Sequence, residues 1–193
     1  STKLHPFWMG ILVSVVVGVA LTLPISSAAI CAAFGLVGLA GGAAVAGCCA
    51  QMVGFAVLSF KENRWGGILS QGLGTSMLQM PNIIKNPKVW IAPTLASAIT
   101  GPIATCLFKM EMNGAAVSSG MGTCGLVGQI GVVTGWFSPS ETAVAHGAAA
   151  ISPNFMNWLG LILICFVLPG VLCWAFGKVF RKIGWIKDGD LAL

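Results

Sequence analysis

Two stretches of this chain repeat one seven-residue pattern, G-x-G-T-[S/C]-x-L. They are Gly72-Leu73-Gly74-Thr75-Ser76-Met77-Leu78 and Gly120-Met121-Gly122-Thr123-Cys124-Gly125-Leu126. Glycine costs about 1 kcal/mol relative to alanine inside a helix. The pattern therefore loosens a helix and sets free backbone N–H and C=O groups beside the hydroxyls of Thr75, Ser76, Ser118, Ser119 and Thr123. Such a surface binds by hydrogen bonding and suits a sugar or another polyhydroxylated or weakly polar anionic solute. Both stretches are apolar enough to enter a membrane. Loosened backbone is tolerated there only where it faces protein or a wet cavity. A pair of glycine-interrupted apolar segments is the best sequence pointer to a transporter's binding site. A second reading of the same glycines is close helix packing alone.

Other polar residues stand out against their surroundings. Gln79, Asn82 and Gln129 are amides in apolar sequence, where an unsatisfied amide is costly. They either tie helices together or orient a solute. Glu111 lies beside Lys109 and reads as a boundary ion pair, or as a gate or proton-coupling carboxylate. Glu141 completes a capping box, with coupling as its second reading, and His146 follows close enough to share a helical face with it. The candidate solute-binding set is thus Gly72, Gly74, Thr75, Ser76, Gln79, Asn82, Ser119, Gly120, Gly122, Thr123 and Gln129, with Glu111, Glu141 and His146 for coupling or gating. No Ser/His/Asp set, metal cluster or cofactor motif can be assembled. The G-x-G pairs lack the preceding strand that a nucleotide fingerprint requires.

These residues must be positioned by membrane helices. The 193 residues are 56% hydrophobic and 8% charged, against about 25% charged in a soluble domain. Mean hydropathy is +0.91. Residues 6–60 contain no Asp, Glu, Lys or Arg, enough for two spans of about 20 residues. The seven cysteines have no C-x-x-C spacing and lie in apolar sequence, so they read as packing residues rather than disulfides or zinc ligands. The net charge of +5 gathers at segment ends, a topology signal rather than a nucleic-acid one.

Along the chain, four full spans are expected at about residues 7–30, 32–60, 88–108 and 157–177. Pro24 kinks or ends the first. Lys61 to Arg64 reads as a polar loop, and Asn86-Pro87 as an N-cap with proline at the first helical position. Residues 65–84 and 115–136 carry the two motifs and read as re-entrant segments. Ser138-Pro139-Ser140-Glu141 starts a short interfacial helix reaching about Ile151, and Ser152-Pro153 starts the last span. The fold class is all-α and polytopic, with about four transmembrane helices, two re-entrant segments and one interfacial helix. With this layout both termini and the basic clusters fall on one side, and only Lys109 on the other. The two re-entrant segments then enter from opposite faces and meet near the midplane. The chain opens on Ser rather than Met, and its first apolar run is too long for a signal peptide. It reads either as a complete chain or as part of a longer one.

The stretch from Gly72 through Gln79-Met80-Pro81-Asn82-Ile83-Ile84-Lys85-Asn86-Pro87, and the stretch from Gly120 through Val127-Gly128-Gln129, resemble a known family. They are similar to membrane proteins of the phosphotransferase-system EIIC type, which include the perfringolysin-regulator-like proteins of Gram-positive bacteria. The resemblance covers most of the chain, from about Leu36 to the basic C-terminal region. It implies a multi-pass protein of the bacterial inner membrane, a homodimer, related to carriers of sugar-like solutes. It also implies cytoplasmic phosphotransferase or regulatory partners and no nucleic acid. Members are generally longer, so residues 1–193 would be a single transmembrane domain forming the C-terminal part of such a protein. Beside a carrier, two further functions stay open: a membrane sensor that binds a solute without moving it, and a channel-like pore.

Overall fold

The computed structural model describes residues 5–23 and 25–193. Its described residues are helical apart from turns and one isolated bridge between Gly38 and Met112. Three helical stretches are long and apolar enough to cross a membrane: Gly38–Leu58, Pro87–Leu107 and Phe155–Lys182. The first is α3. Its alanines favour the helix, and nearly every residue of it is buried. α1 (Pro6–Thr22), α6 (Ile91–Pro102) and α10 (Leu168–Lys182) surround it.

Helix α3 carries little bulk, so its neighbours reach its backbone. A Cβ on Gly47 would run into the Ser14 carbonyl of α1, and one on Gly42 would run into the carbonyl of Met110. Close approach of this kind replaces the hydrophobic effect, which has little force between helices in lipid. The Ser14 hydroxyl adds a hydrogen bond to the Ser97 carbonyl of α6 at 2.8 Å.

The first apolar run departs from expectation. It is not one span over 7–30 but two helices, α1 and α2 (Ser27–Phe34). Pro24, expected to break the run, lies outside the described residues. The Ser26 hydroxyl caps α2 by accepting from the Ala29 N–H at 3.1 Å. Helix α1 runs parallel to α3, because Ser14 meets Gly47 while Thr22 bonds Gln51. Its start therefore sits at the Gly38 end, where the Thr105 hydroxyl donates to the Pro6 carbonyl at 2.9 Å. Helix α2 turns back, so Pro6, Gly35 and Gly38 line one cleft with Glu111. Pro6 and the C-terminal residues thus lie at opposite ends of α3, not on one side. The four expected spans become three helices of crossing length and, in place of the first, the α1–α2 hairpin.

Three elements differ in detail. Lys61 to Arg64 is not a loop but part of α4 (Phe60–Gly67), bent where Arg64 takes φ 52°. Arg181 Nη2 donates to both carboxylate oxygens of Glu62, at 2.8 and 3.0 Å, and holds α4 against α10. Helix α8 (Glu141–Ala145) is capped by Ser140 rather than Ser138 and ends well before Ile151. The Ser140 hydroxyl also donates to the Gly114 carbonyl, which pins that start. The last span begins with α9 (Phe155–Ile162), capped by Asn154 in a reciprocal box with Asn157, not at Ser152-Pro153. Asn86 caps the turn at Pro87–Trp90 as expected. The second and third crossings each contain a π-helical stretch, Ile103–Leu107 and Leu163–Val167.

Eight of the ten Lys and Arg residues gather at the Leu58 end of α3: Lys61, Arg64, Lys85, Lys88, Lys178, Arg181, Lys182 and Lys187. Lys109 lies at the other end, and Lys3 is outside the described residues. At 1.5 Å per residue the two ends of α3 are about 30 Å apart, the thickness of a bilayer core.

The Gly47 crossing gives a direct test. Gly47→Val should destabilise the detergent-solubilised protein by about 1–3 kcal/mol through overpacking. Gly66→Ala, where a Cβ meets nothing within 4 Å, should leave the thermal midpoint nearly unchanged. Equal midpoints for both variants would refute the crossing.

Candidate functional site

The two motifs lie on hairpins from opposite ends of α3. The first leaves the Leu58 end along α4 and continues through a π-helical stretch, Ile68–Gly74, where Gly72 lies beside Ala56. It turns at Thr75, whose hydroxyl accepts from the Met77 N–H at 3.2 Å. The return is by Ser76–Gln79 and α5 (Met80–Lys85). The second hairpin leaves the Gly38 end at Asn113 and descends through Ala116–Gly120. It returns by Cys124–Leu126 and α7 (Val127–Phe137), whose Gly135 packs on the Asn113 backbone. The Ile68–Gly74 stretch packs against Cys124–Leu126. The two motifs meet.

Their glycines do different work. Gly122 has φ +53°, a region that L side chains rarely adopt, and a Cβ there would press into Cys48 of α3. A Cβ on Gly120 would strike the backbone of Ser27, whose hydroxyl donates to the Gly120 carbonyl at 2.7 Å. Gly72 and Gly74 have room for a Cβ. The second copy uses its glycines for close approach; the first does not.

The motif hydroxyls and amides face other protein groups. Ser76 pairs with Thr22 at 2.8 Å, and Thr22 donates to Gln51 Oε1 at 3.2 Å. Gln51 also accepts from Trp90 Nε1 and donates to Thr94. Thr123 donates to the sulfur of Met52, and Ser119 to the Ala116 carbonyl. Gln129 places its amide on Cys49 Sγ at 3.0 Å. Its Oε1 is the one buried side-chain oxygen or nitrogen without a partner among the described residues. Gln79 and Asn82 belong to a relay at the basic end. Gln71 donates to Ser59, Gln79 to Gln71 Oε1, and Asn82 to Gln79 Oε1, all within 2.9 Å. The relay continues into the carbonyls of Leu191 and Ala192.

Glu111, Glu141 and His146 sit at the opposite end. Glu111 accepts from Asn113 Nδ2 at 3.1 Å rather than pairing with Lys109. Two clefts of about 270 and 380 Å³ share Glu111, Asn113, Gly147 and Ala148. His146 lines the larger one. Its Nδ1 lies 2.8 Å from the Thr142 carbonyl, which accepts from it. Glu141 is the exposed first residue of α8, where the helix N-terminus favours its charge.

Sequence reasoning passed over Gln51, Gln71, Asn63, Thr22 and Asn113. Gln51 is the only amide in the uncharged run 6–60, and the criterion that selected Gln129 would have selected it too. These two glutamines should respond oppositely to removal of their amides. Gln51→Leu strands the Trp90 N–H and should cost about 1–3 kcal/mol. Gln129→Leu removes an orphaned oxygen and should leave the thermal midpoint level or higher. A lower midpoint for Gln129→Leu than for Gln51→Leu would contradict these assignments.

The family described as "Phosphotransferase system, EIIC" matches residues 1–193. No curated protein and no solved structure matches the chain. An all-helical polytopic architecture with apolar spans and basic residues at one end accords with that match. The chain belongs to the phosphotransferase system EIIC family.

Proposed function

We propose that this membrane transport protein carries a neutral, sugar-type solute across a bacterial inner membrane. Access would alternate about the meeting point of its two broken hairpins. The observation that carries the reading is the contact between Ile68–Gly74 and Cys124–Leu126, each reached from a different end of α3. In this reading both hairpins are re-entrant. When they part, the backbone and hydroxyls of Gly72, Gly74, Thr75, Ser76, Ser119, Gly120, Gly122 and Thr123 become the solute's partners, with Gln129 as an orienting amide and Gln79 and Asn82 orienting it toward the basic end. The orphaned Gln129 oxygen supports this, since an unpaired buried acceptor has capacity for a solute hydroxyl.

The excess of basic residues at the Leu58 end supports a cytoplasmic position for that end. The clefts at Glu111 and Asn113 are then an outer vestibule, and together they approach the volume of a small-molecule site. An acidic oxygen beside an amide suits hydroxyl donors and acceptors alike. Residues 1–193 act as one transmembrane domain. The exposed apolar residues of the last span, among them Phe155, Trp158, Phe166 and Trp174, face lipid or a second copy of the chain. Phosphotransferase or regulatory proteins would dock at the basic face.

Uptake into proteoliposomes from a panel of hexoses, hexitols and disaccharides tests the reading. Saturable uptake is expected, abolished by Thr75→Val combined with Thr123→Val. Glu111→Gln should weaken apparent affinity about ten- to a hundredfold, the worth of one charge-assisted hydrogen bond. Binding without flux would instead identify a sensor, and a non-saturating ionic current a pore.

A further inference from the structure

Beyond α10 the chain folds back, and residues 185–193 lie across the basic mouth of the first hairpin. Ile186 and Leu191 are buried in a cluster with Phe55, Leu58, Ile83 and Val89. Around them, amides of the hairpin grip the backbone. Asn63 Nδ2 donates to the Leu191 carbonyl at 2.8 Å and Gln79 Nε2 to the same oxygen at 3.0 Å. Asn82 Nδ2 donates to the Ala192 carbonyl at 3.0 Å, and the Leu193 N–H returns a bond to Asn63 Oδ1 at 2.9 Å. Asn86 Nδ2 reaches the Trp185 carbonyl and the Asp190 carboxylate, each at 2.9 Å.

The geometry points to residues 185–193 as a strap that shuts this mouth. Its Leu191 and Ala192 carbonyls take the amide donors of Asn63, Gln79 and Asn82 that a solute's hydroxyl oxygens would otherwise take there. The identity of the solute rests on the carrier reading; the closure does not. A peptide carbonyl and a sugar hydroxyl offer an amide N–H the same kind of acceptor. The three donors are uncharged amides, which suits a neutral polyhydroxylated solute.

Charge adds little to the strap's attachment. Its ion pair from Asp188 to Lys61, at 2.8 Å, joins side chains that are 72% and 63% exposed, where such pairs contribute little. The Lys61 ammonium still holds the Asp188 carboxyl below its usual range, aided by Arg181. Only two side chains, Ile186 and Leu191, are deeply buried. The strap follows Gly184, at φ +85°, so it can lift without unwinding α10. The Arg181–Glu62 pair joins α10 to α4 and would stay.

Ser59, fully buried beneath the relay and bonded to Gln71, is the reporter. A full-length chain carrying Ser59→Cys is placed in inside-out vesicles and treated with a membrane-impermeant maleimide, with labelling mapped by mass spectrometry. The reporter should be protected. The strap changes Asp188→Asn, Asp190→Asn and Leu191→Ala together should speed its labelling about tenfold or more, and Asp188→Asn alone in the same direction. In a separate chain, Asn63→Cys with Leu193→Cys should stop hexose uptake when oxidised and release it when reduced. Unchanged labelling, or equal uptake with the bridge closed and open, overturns the strap. If the parent chain moves no sugar, the carrier reading fails and the labelling result alone decides the strap.

Discussion

Everything in this molecule is arranged around how closely other chain segments can approach the backbone of α3. In lipid an apolar side chain has no reason to prefer a neighbouring helix over an acyl chain, so association depends on contact area and hydrogen bonds. Glycine and alanine along α3 permit that contact from several sides at once. Ser14 seats on Gly47, the Met110 carbonyl on Gly42, Cys173 on Gly54 and Gly122 on Cys48. The same thin helix lets the second motif come deep enough to touch the first.

Once the hairpins are that deep, their polar groups need partners, and the structure provides them in layers. Near the motif contact, Ser76, Thr22, Gln51, Trp90 and Thr94 satisfy one another. Toward the basic end, Ser59, Gln71, Gln79 and Asn82 form a relay that continues into the backbone of residues 191–192. Toward the other end Asn113 satisfies Glu111 at the rim of the clefts. A buried polar network is favourable only when all its members are paired. Gln129 Oε1 is the place where this pairing is incomplete.

Much of the architecture was legible because lipid leaves few options. Composition alone required membrane helices. Glycine spacing located the two broken segments, whereas the charge count assumed both termini on one side, which the turn between α1 and α2 does not allow. The Asn86-Pro87 start was read from its local chemistry, which needs no distant partner. What escaped the sequence depends on distant partners. Lys61 to Arg64 is helical because Arg181, more than a hundred residues away, holds Glu62. Ser140 rather than Ser138 starts α8 because it also bonds Gly114. The first apolar run had length enough for a span, and hydropathy does not distinguish a crossing from a turn at Ser26. For the site, residue types identified the amides, but not that residues 191–192 would occupy two of them or that the clefts would open beside Glu111.

The π-helical stretches in the second and third crossings have a mechanical meaning. A π turn is an α-helix carrying one residue more than the regular turn holds. Each residue in an α-helix advances the chain by about 100° and 1.5 Å. Ile103–Leu107 and Leu163–Val167 therefore store a rotation and a short length of rod within the helices that border the Glu111 clefts. Moving such a surplus residue along either rod would turn one portion of it against the other. A bundle whose long members carry this slack can change the facing of its side chains at mid-length while its ends stay fixed.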